Sequence, residues 1–426
     1  MNGGVCNLYE LANWINGIAF RDIDFTPEGK PVIKIAEMKS GISENTGLTM
    51  NEFDEKYRVV SGDLLFSWSG SPKTSIFPLI WEGPAGWLNQ HIFKVVPKEG
   101  ISQDFLHLLL ICLNRELIFL ASNRMTTGLG HVTKSDLQRL RVNLPSKKER
   151  ENIVRAAYPI LSLESELKWT SDVNESIIQA LFKSWFIDFD PVKAKSDGKL
   201  PYGMDEETAA LFPDSFEDSK FGEIPEGWSV INMGEGLDLL KDGDHTPPKR
   251  VKEGIPFYSG KDVNNGYFLD KDKPTYVTKE YHDWFHRKWE PKIGDILIAS
   301  VGSVGKTAIV REDDFPFILQ RSVALLRPNQ KINSEYLLYY MQSQPIQWLI
   351  ESLSVRSVQA TLSLTDIGRI PLLVPPIQIL EKFRGICSLL HSQIDSKIDS
   401  VSNLNNLRET LLPRLMSGEL ELPVEA

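Results

Sequence analysis

The sequence has little cysteine, and what it has is scattered. Cys6, Cys112 and Cys387 are an odd three in 426 residues, too far apart for a disulfide framework or a CxxC metal site. They fit a reducing compartment, and the chain is expected in the cytoplasm. No run of about 18 apolar residues exists, so a spanning helix is not expected. Phe105 to Leu120 comes nearest and is interrupted by His107, Asn114, Arg115 and Glu116. Met1 to Leu11 lacks the basic start and apolar stretch of a secretory signal, so none is expected. Histidines at ligand spacing are equally scarce. His282 and His286 stand one helical turn apart without a third ligand nearby, and His91, His107 and His131 are solitary. GxSxG and methyltransferase motifs are absent. No catalytic and no metal-ligating residue is nominated.

What remains is an ordinary globular composition, 42% hydrophobic and 24% charged, in a chain long enough for two or three domains. The net charge of −10 argues at first against a nucleic-acid partner. Its distribution changes that reading. Between Asp197 and Asp238 only Lys199 and Lys220 stand against eleven acids, so one short stretch carries nearly the whole excess. It reads as an acidic linker, residues 191–220. From Lys241 to Arg311 the balance reverses, with 13 Lys and Arg against 10 acids.

The most informative feature is an internal repeat. His131 to Pro145 aligns with Thr361 to Pro375, with Asp136/Asp366, Arg139/Arg369 and Pro145/Pro375 identical and the apolar positions matched. Upstream, Gly62-Asp63 pairs with Gly294-Asp295, Lys73-Thr74 with Lys306-Thr307, and Gln90-His91 with Gln320-Arg321. Each copy opens with short apolar runs punctuated by Gly and Pro, which predicts an irregular mixed α/β globule (residues 1–145 and 221–375). Single helices are expected inside the globules, from Ser102 to Ala121 and from Ser334 to Leu353.

A long helical pattern follows each globule, over 146–190 and 376–420. In the first, Ile153, Ala156, Ile160, Leu163, Leu167, Ile177 and Leu181 recur on a seven-residue frame. In the second, Phe383, Ile386, Leu390, Ile394, Ile398, Val401, Leu404, Leu407 and Leu411 do the same. Pro159 and Pro413 are expected to kink or end these helices. Each pattern is roughly 60 Å long at 1.5 Å per residue, more than a small globule needs. The two are expected to pair as an antiparallel coiled coil with pseudo-twofold symmetry. Trp169, Trp185, Phe186 and Phe189 fall largely off the stripe and are expected to anchor partner proteins.

Two motifs compete for a chemical reading. Gly302-Ser303-Val304-Gly305-Lys306-Thr307 looks like a phosphate loop, and a P-loop-like NTPase using Lys306 and Thr307 is one alternative. The first glycine of that pattern is replaced by Ser300, and the sister loop at Lys73-Thr74 lacks the glycine before its lysine. A coiled-coil scaffold without a DNA role is the other alternative. Against both stands the interleaving of basic, amide and hydroxyl side chains in corresponding loops, the types that contact phosphates and read base edges. The candidates in the first copy are Lys73, Thr74, Gln90, His91, Arg124 and Thr126. Those in the second are Lys249, Arg250, Lys261, Ser303, Lys306, Thr307, Gln320, Arg321, Arg356 and Gln359.

On these features the chain resembles the specificity (S) subunits of type I DNA restriction–modification systems. The resemblance rests on the half-repeat and on Gly-Asp-Leu/Ile-Leu followed by a Gly/Ser loop. It rests also on Leu181-Phe-Lys-Ser-Trp-Phe-Ile-Asp-Phe-Asp-Pro191, Gly222-Glu-Ile-Pro-Glu-Gly-Trp228 and Leu411-Leu-Pro-Arg-Leu-Met-Ser-Gly-Glu-Leu420. The first globule departs from it, with Leu11-Ala-Asn-Trp14 near the place of the Ile-Pro-Glu-Gly-Trp motif. The resemblance implies two target-recognition domains that read a bipartite, asymmetric double-stranded DNA sequence, held apart by spacer helices. It implies two modification subunits that methylate adenine at N6 and two ATP-dependent restriction subunits. S-adenosylmethionine, ATP and Mg²⁺ would sit on those partners, and this chain would bind no cofactor, catalyse nothing and contact no membrane.

Overall fold

Each copy of the Gly-Asp motif is a tight turn into a wholly buried strand. Gly62 and Gly294 adopt φ of 95° and 88°, a region that favours glycine. The following carboxylate closes the turn. Asp63 accepts from the Val60 amide and pairs with Lys94 at 2.7 Å; Asp295 accepts from the Lys292 amide and pairs with Arg327 at 2.7 Å. The strands that follow, Leu64–Ser67 and Ile296–Ala299, are buried at every position, which explains why they are apolar throughout except at Ser67.

The computed structural model describes residues 4–125, 128–220, 222–246, 248–264, 275–287, 289–354 and 360–420. The chain divides into two units, Met1–Trp169 with Lys397–Ala426, and Thr170–Ser396. In the first, an antiparallel sheet runs in the order Ala12–Asn16, Ile92–Pro97, Leu64–Ser67, Phe77–Ile80. A smaller sheet joins Lys30–Ile33 in parallel to Gly86–Leu88, and Gly4–Asn7 pairs with Arg141–Leu144. The second unit repeats this plan. Its sheet runs Leu237–Asp242, Val323–Pro328, Ile296–Ala299, Thr307–Ile309, with Ile255–Tyr258 parallel to Ile318–Leu319 and Ser229–Asn232 against Pro371–Val374.

The two expected inner helices are each broken in two, as Gln103–Cys112 with Asn114–Ser122 and Ser334–Gln342 with Gln344–Ser354. Pro345 lacks the amide needed to carry the second one through. Among the described residues no single helix is long and apolar enough to cross a membrane. The bent pair in the first unit buries Phe105, Leu108, Leu110, Leu117 and Ala121 in its core.

The long helices span Lys147–Phe182 and Ile377–Ser417, and both run through their prolines. Pro159 and Pro413 each cost one backbone hydrogen bond. Around them Ile153, Ala157, Leu412, Leu415 and Met416 share the first unit's core, and that packing holds the helices in place. Within each unit the helices meet antiparallel. In the first, Glu164 takes Arg408 at 2.6 Å; in the second, Asn174 donates to Gln393 at 3.2 Å and Phe182 meets Phe383 with centroids 5.7 Å apart. The buried stripe is displaced from the expected frame. Glu164, Asn174 and Ile178 are buried where Leu163 and Ile177 are exposed, and Cys387 and His391 are buried where Ile386 and Ile398 are exposed. A polar group in the seam is satisfied by a partner, so an apolar count misses it.

Two further expectations fail at the first helix's exit. Residues 191–220 are not a solvated linker but contain the helices Asp190–Ser196 and Glu206–Ala210 and the start of a hairpin, Phe216–Ser219. Val192, Ala209 and Phe212 turn inward while the acids face out. Trp185 and Phe186 are therefore covered, at 4% and 1% exposure, and do not form an open docking face. A π-turn at Lys183–Ile187 swings them into an aromatic cluster. Trp185 meets Phe212 at 5.2 Å, and Phe186 meets Tyr336 at 5.0 Å and Phe383 at 5.3 Å. Phe189 packs on Trp228 at 5.8 Å. Of the four, Trp169 alone is largely exposed.

Candidate nucleic-acid interface

In the second unit, five segments converge on an open cleft of about 740 Å³ at one end of the sheet. Lys261, Ser303, Gln320 and Arg321 line it, so four of the sequence candidates are brought together. Ser322 Oγ accepts from the Gly260 amide and donates to Gln320 Oε1, which orients that amide. Asp242 and His245, 2.6 Å apart, line the cleft as well. Lys261 and Arg321 are exposed and form no ion pair with a described residue. Gly243 lets the Leu237–Asp242 strand pass tightly over the neighbouring turn, since a Cβ there would lie 2.2 Å from the Leu319 carbonyl oxygen. The cleft offers cations, amides, hydroxyls and one carboxylate, a set that meets phosphates and base edges.

The first unit builds the same frame with the same backbone bonds. Gly17 N donates to Ile92 O as Gly243 N does to Val323 O, both at 3.1 Å. Val132 N donates to Trp68 O as Leu362 N does to Ser300 O, both at 2.8 Å. Ile92 pairs with Ser67 as Val323 does with Ala299. This register corrects the sequence alignment by one residue: Gln90 corresponds to Arg321 and His91 to Ser322. The Lys-Thr match is also overturned. Phe66 pairs with Pro78 as Ile298 pairs with Thr307, so Lys306-Thr307 corresponds to Phe77-Pro78. Lys73 and Thr74 are exposed in the short Pro72–Ser75 turn, an insertion peculiar to the first unit.

Other candidates are spent on the fold or lie apart. Thr307 is fully buried and its hydroxyl accepts from Gln342 Nε2 at 3.0 Å, while Lys306 is exposed but outside the cleft. A strand follows this loop where a phosphate loop requires a helix, so the NTPase reading has no structural support. Arg124 pairs with Asp136 at 2.9 Å and bonds Thr133, bracing a helix cap. Arg250 lies 3.8 Å above the Phe257 ring, and Lys249 beside it is exposed. Thr126, Arg356 and Gln359 lie outside the described residues. Sequence reasoning missed Asp242, His245, Ser259 and Thr361 in the second unit, and Asn16, Trp68, Ser69 and His131 in the first. Their signal was positional: they sit at strand ends or in the loops and bridges next to them.

A frame built twice, carrying in the second unit a cleft of this composition, defines a recognition module for an anionic, hydrogen-bonding surface. The chain belongs to the type I restriction modification DNA specificity domain family, which matches residues 4–167 and 225–410. It is similar to the type I restriction enzyme EcoBI specificity subunit of Escherichia coli, with 25% identity over 96% of this chain and 84% of that protein. The MjaIX specificity subunit of Methanocaldococcus jannaschii is 24% identical over 78% of this chain and 73% of its own length. The crystal structure of a type I restriction–modification S subunit from M. genitalium shares the fold. Its TM-score is 0.52 and its identity 19%, over 97% of this chain and 96% of that one.

Proposed function

We propose that the chain is the DNA-reading, non-catalytic subunit of a type I restriction–modification complex, and that each unit reads one half of a bipartite, asymmetric target. One observation carries this reading: the same frame presents different side chains at equivalent positions. Asn16, Trp68, Gln90, His91 and His131 stand where Asp242, Ser300, Arg321, Ser322 and Thr361 stand in the second unit. A shared frame docks on DNA in one way, and different side chains then select different bases. The paired helices set the gap between half-sites. Two modification subunits and two restriction subunits complete the complex in the cytoplasm, bringing S-adenosylmethionine, ATP and Mg²⁺. Trp169, still open, and the outer faces of the long helices serve the modification subunits.

The test is duplex binding by the assembled complex carrying Arg321→Ala or Lys261→Ala. Loss of a phosphate contact should weaken binding and lower the salt slope by roughly one. Loss of a base contact should cost about 1–3 kcal/mol on the matched duplex and relax one position. A complex that binds target and scrambled duplexes alike would instead support a scaffold without a DNA role.

A further inference from the structure

The first unit's reading face carries a grouping that the second lacks, two imidazoles against one indole. The Trp68 ring lies 5.7 Å from that of His91 and 5.9 Å from that of His131. Its Nε1 donates to Asn16 Oδ1 at 2.9 Å, which sets the indole across the end of the sheet. Ser69 Oγ meets His131 Nδ1 at 2.9 Å, where Ser69–Gly70 pairs with Gly130–His131. Gln90 Nε2 lies 3.2 Å from His91 Nε2, and His91 Nδ1 is buried with no hydrogen-bond partner among the described residues.

We infer that Trp68, His91 and His131 form the base-contacting face for the first half of the target, and that DNA binds there with uptake of a proton by the histidine pair. This rests on the DNA-reading function proposed above, because it assigns that function to named atoms. Protonation makes both ring nitrogens of an imidazole donors, so the nitrogen turned toward the DNA can donate to an acceptor of a purine edge in the major groove, N7 or guanine O6. In the free protein, burial first and the neighbouring His131 second hold His91 below the usual histidine range. The flanking segments carry Lys39, Lys73, Lys134, the exposed Asp22 carboxylate and two ion pairs, Arg21–Asp24 and Arg124–Asp136, whose carboxylates are already engaged, so that outside the pairs cations outnumber the one carboxylate. Duplex DNA brings the missing negative charge. Bound DNA therefore raises the proton affinity of the pair. Affinity is greatest at low pH and falls as pH rises through the bound-state value, by up to about tenfold per pH unit for each proton taken up.

The experiment uses the assembled complex at fixed ionic strength, between about pH 6 and about pH 8, the histidine range. The probes are a duplex carrying the sequence methylated in cells that express the chain, and a scrambled duplex. The variants are His91→Ser and His131→Thr, which install what the second unit holds at those places; His91→Gln replaces the first where it does not assemble. Wild-type affinity for the matched duplex is expected to fall at least about threefold across this window, and the variants to flatten the fall. A slope shared equally by wild type and both variants belongs to other groups of the complex. A pH slope identical in wild type and both variants overturns the histidine assignment while leaving DNA reading intact. Failure of the wild type to tell the two duplexes apart contradicts the proposed function itself.

Discussion

Arg321 and Thr307 entered as equal candidates, and their surroundings separate them. Arg321 is exposed on the cleft wall, whereas Thr307 is fully buried on the strand behind it. Arg321→Ala is expected to weaken duplex binding with little effect on folding. Thr307→Val is expected to do the reverse. It leaves Gln342 without its acceptor, so stability should fall by about 1 kcal/mol while DNA affinity holds, read from denaturant midpoints and duplex titration. Residue types were enough to nominate Lys261, Gln320 and Arg321, because loops rich in such groups are legible in a sequence. The identical Lys-Thr pairs misled. Equivalence is decided by strand pairing, and an insertion in the first unit's loop carries Lys73-Thr74 out of register. The Trp68 cluster was invisible for a related reason, since it forms only when segments near residues 16, 68, 90 and 131 meet.

The long helices show the same limit at the scale of elements. Their existence and length followed from the seven-residue recurrence, but the frame shifted because Glu164, Asn174, Cys387 and His391 occupy seam positions. His391 bonds the Tyr339 hydroxyl at 2.8 Å, and Tyr339 in turn donates to Glu175 at 3.1 Å. Burial pushes the His391 imidazole down to about 4, so it folds uncharged. The unfolded chain titrates near 6.5 and takes up the proton first as pH falls. Stability contributed above pH 6.5 is therefore lost between about 6.5 and 4, by up to roughly 3 kcal/mol. Urea midpoints near neutrality and near pH 5 should differ less in His391→Gln than in wild type. The aromatics past Phe182 form a second test. Trp185→Ala opens a cavity in the second unit's core and should cost about 3–5 kcal/mol. A fully stable variant that fails only in partner binding would restore the docking reading of Trp185.

At the scale of the molecule, the repeat is the strongest statement the sequence makes, and the two sheets of identical order bear it out. The division into units was less legible, because each unit takes half of both long helices and the acid-rich stretch folds into the second. Insertions between Trp185 and Lys199 would therefore damage a core. A spacer change belongs in the helices, as one heptad after Leu167 matched by one after Ser400. Such a pair keeps the seam in frame and adds about 10 Å, roughly three base pairs along B-DNA. The expected outcome is an altered spacer, or lost binding from the added twist, with both half-site sequences unchanged. The central claim is that each unit reads its own half, and methylome sequencing of cells carrying the chain with residues 221–375 exchanged for those of a relative tests it most directly. The account predicts N6-methyladenine within a two-part sequence in which one half changes while the other half and the spacer persist. A change in both halves, or in neither, would contradict it.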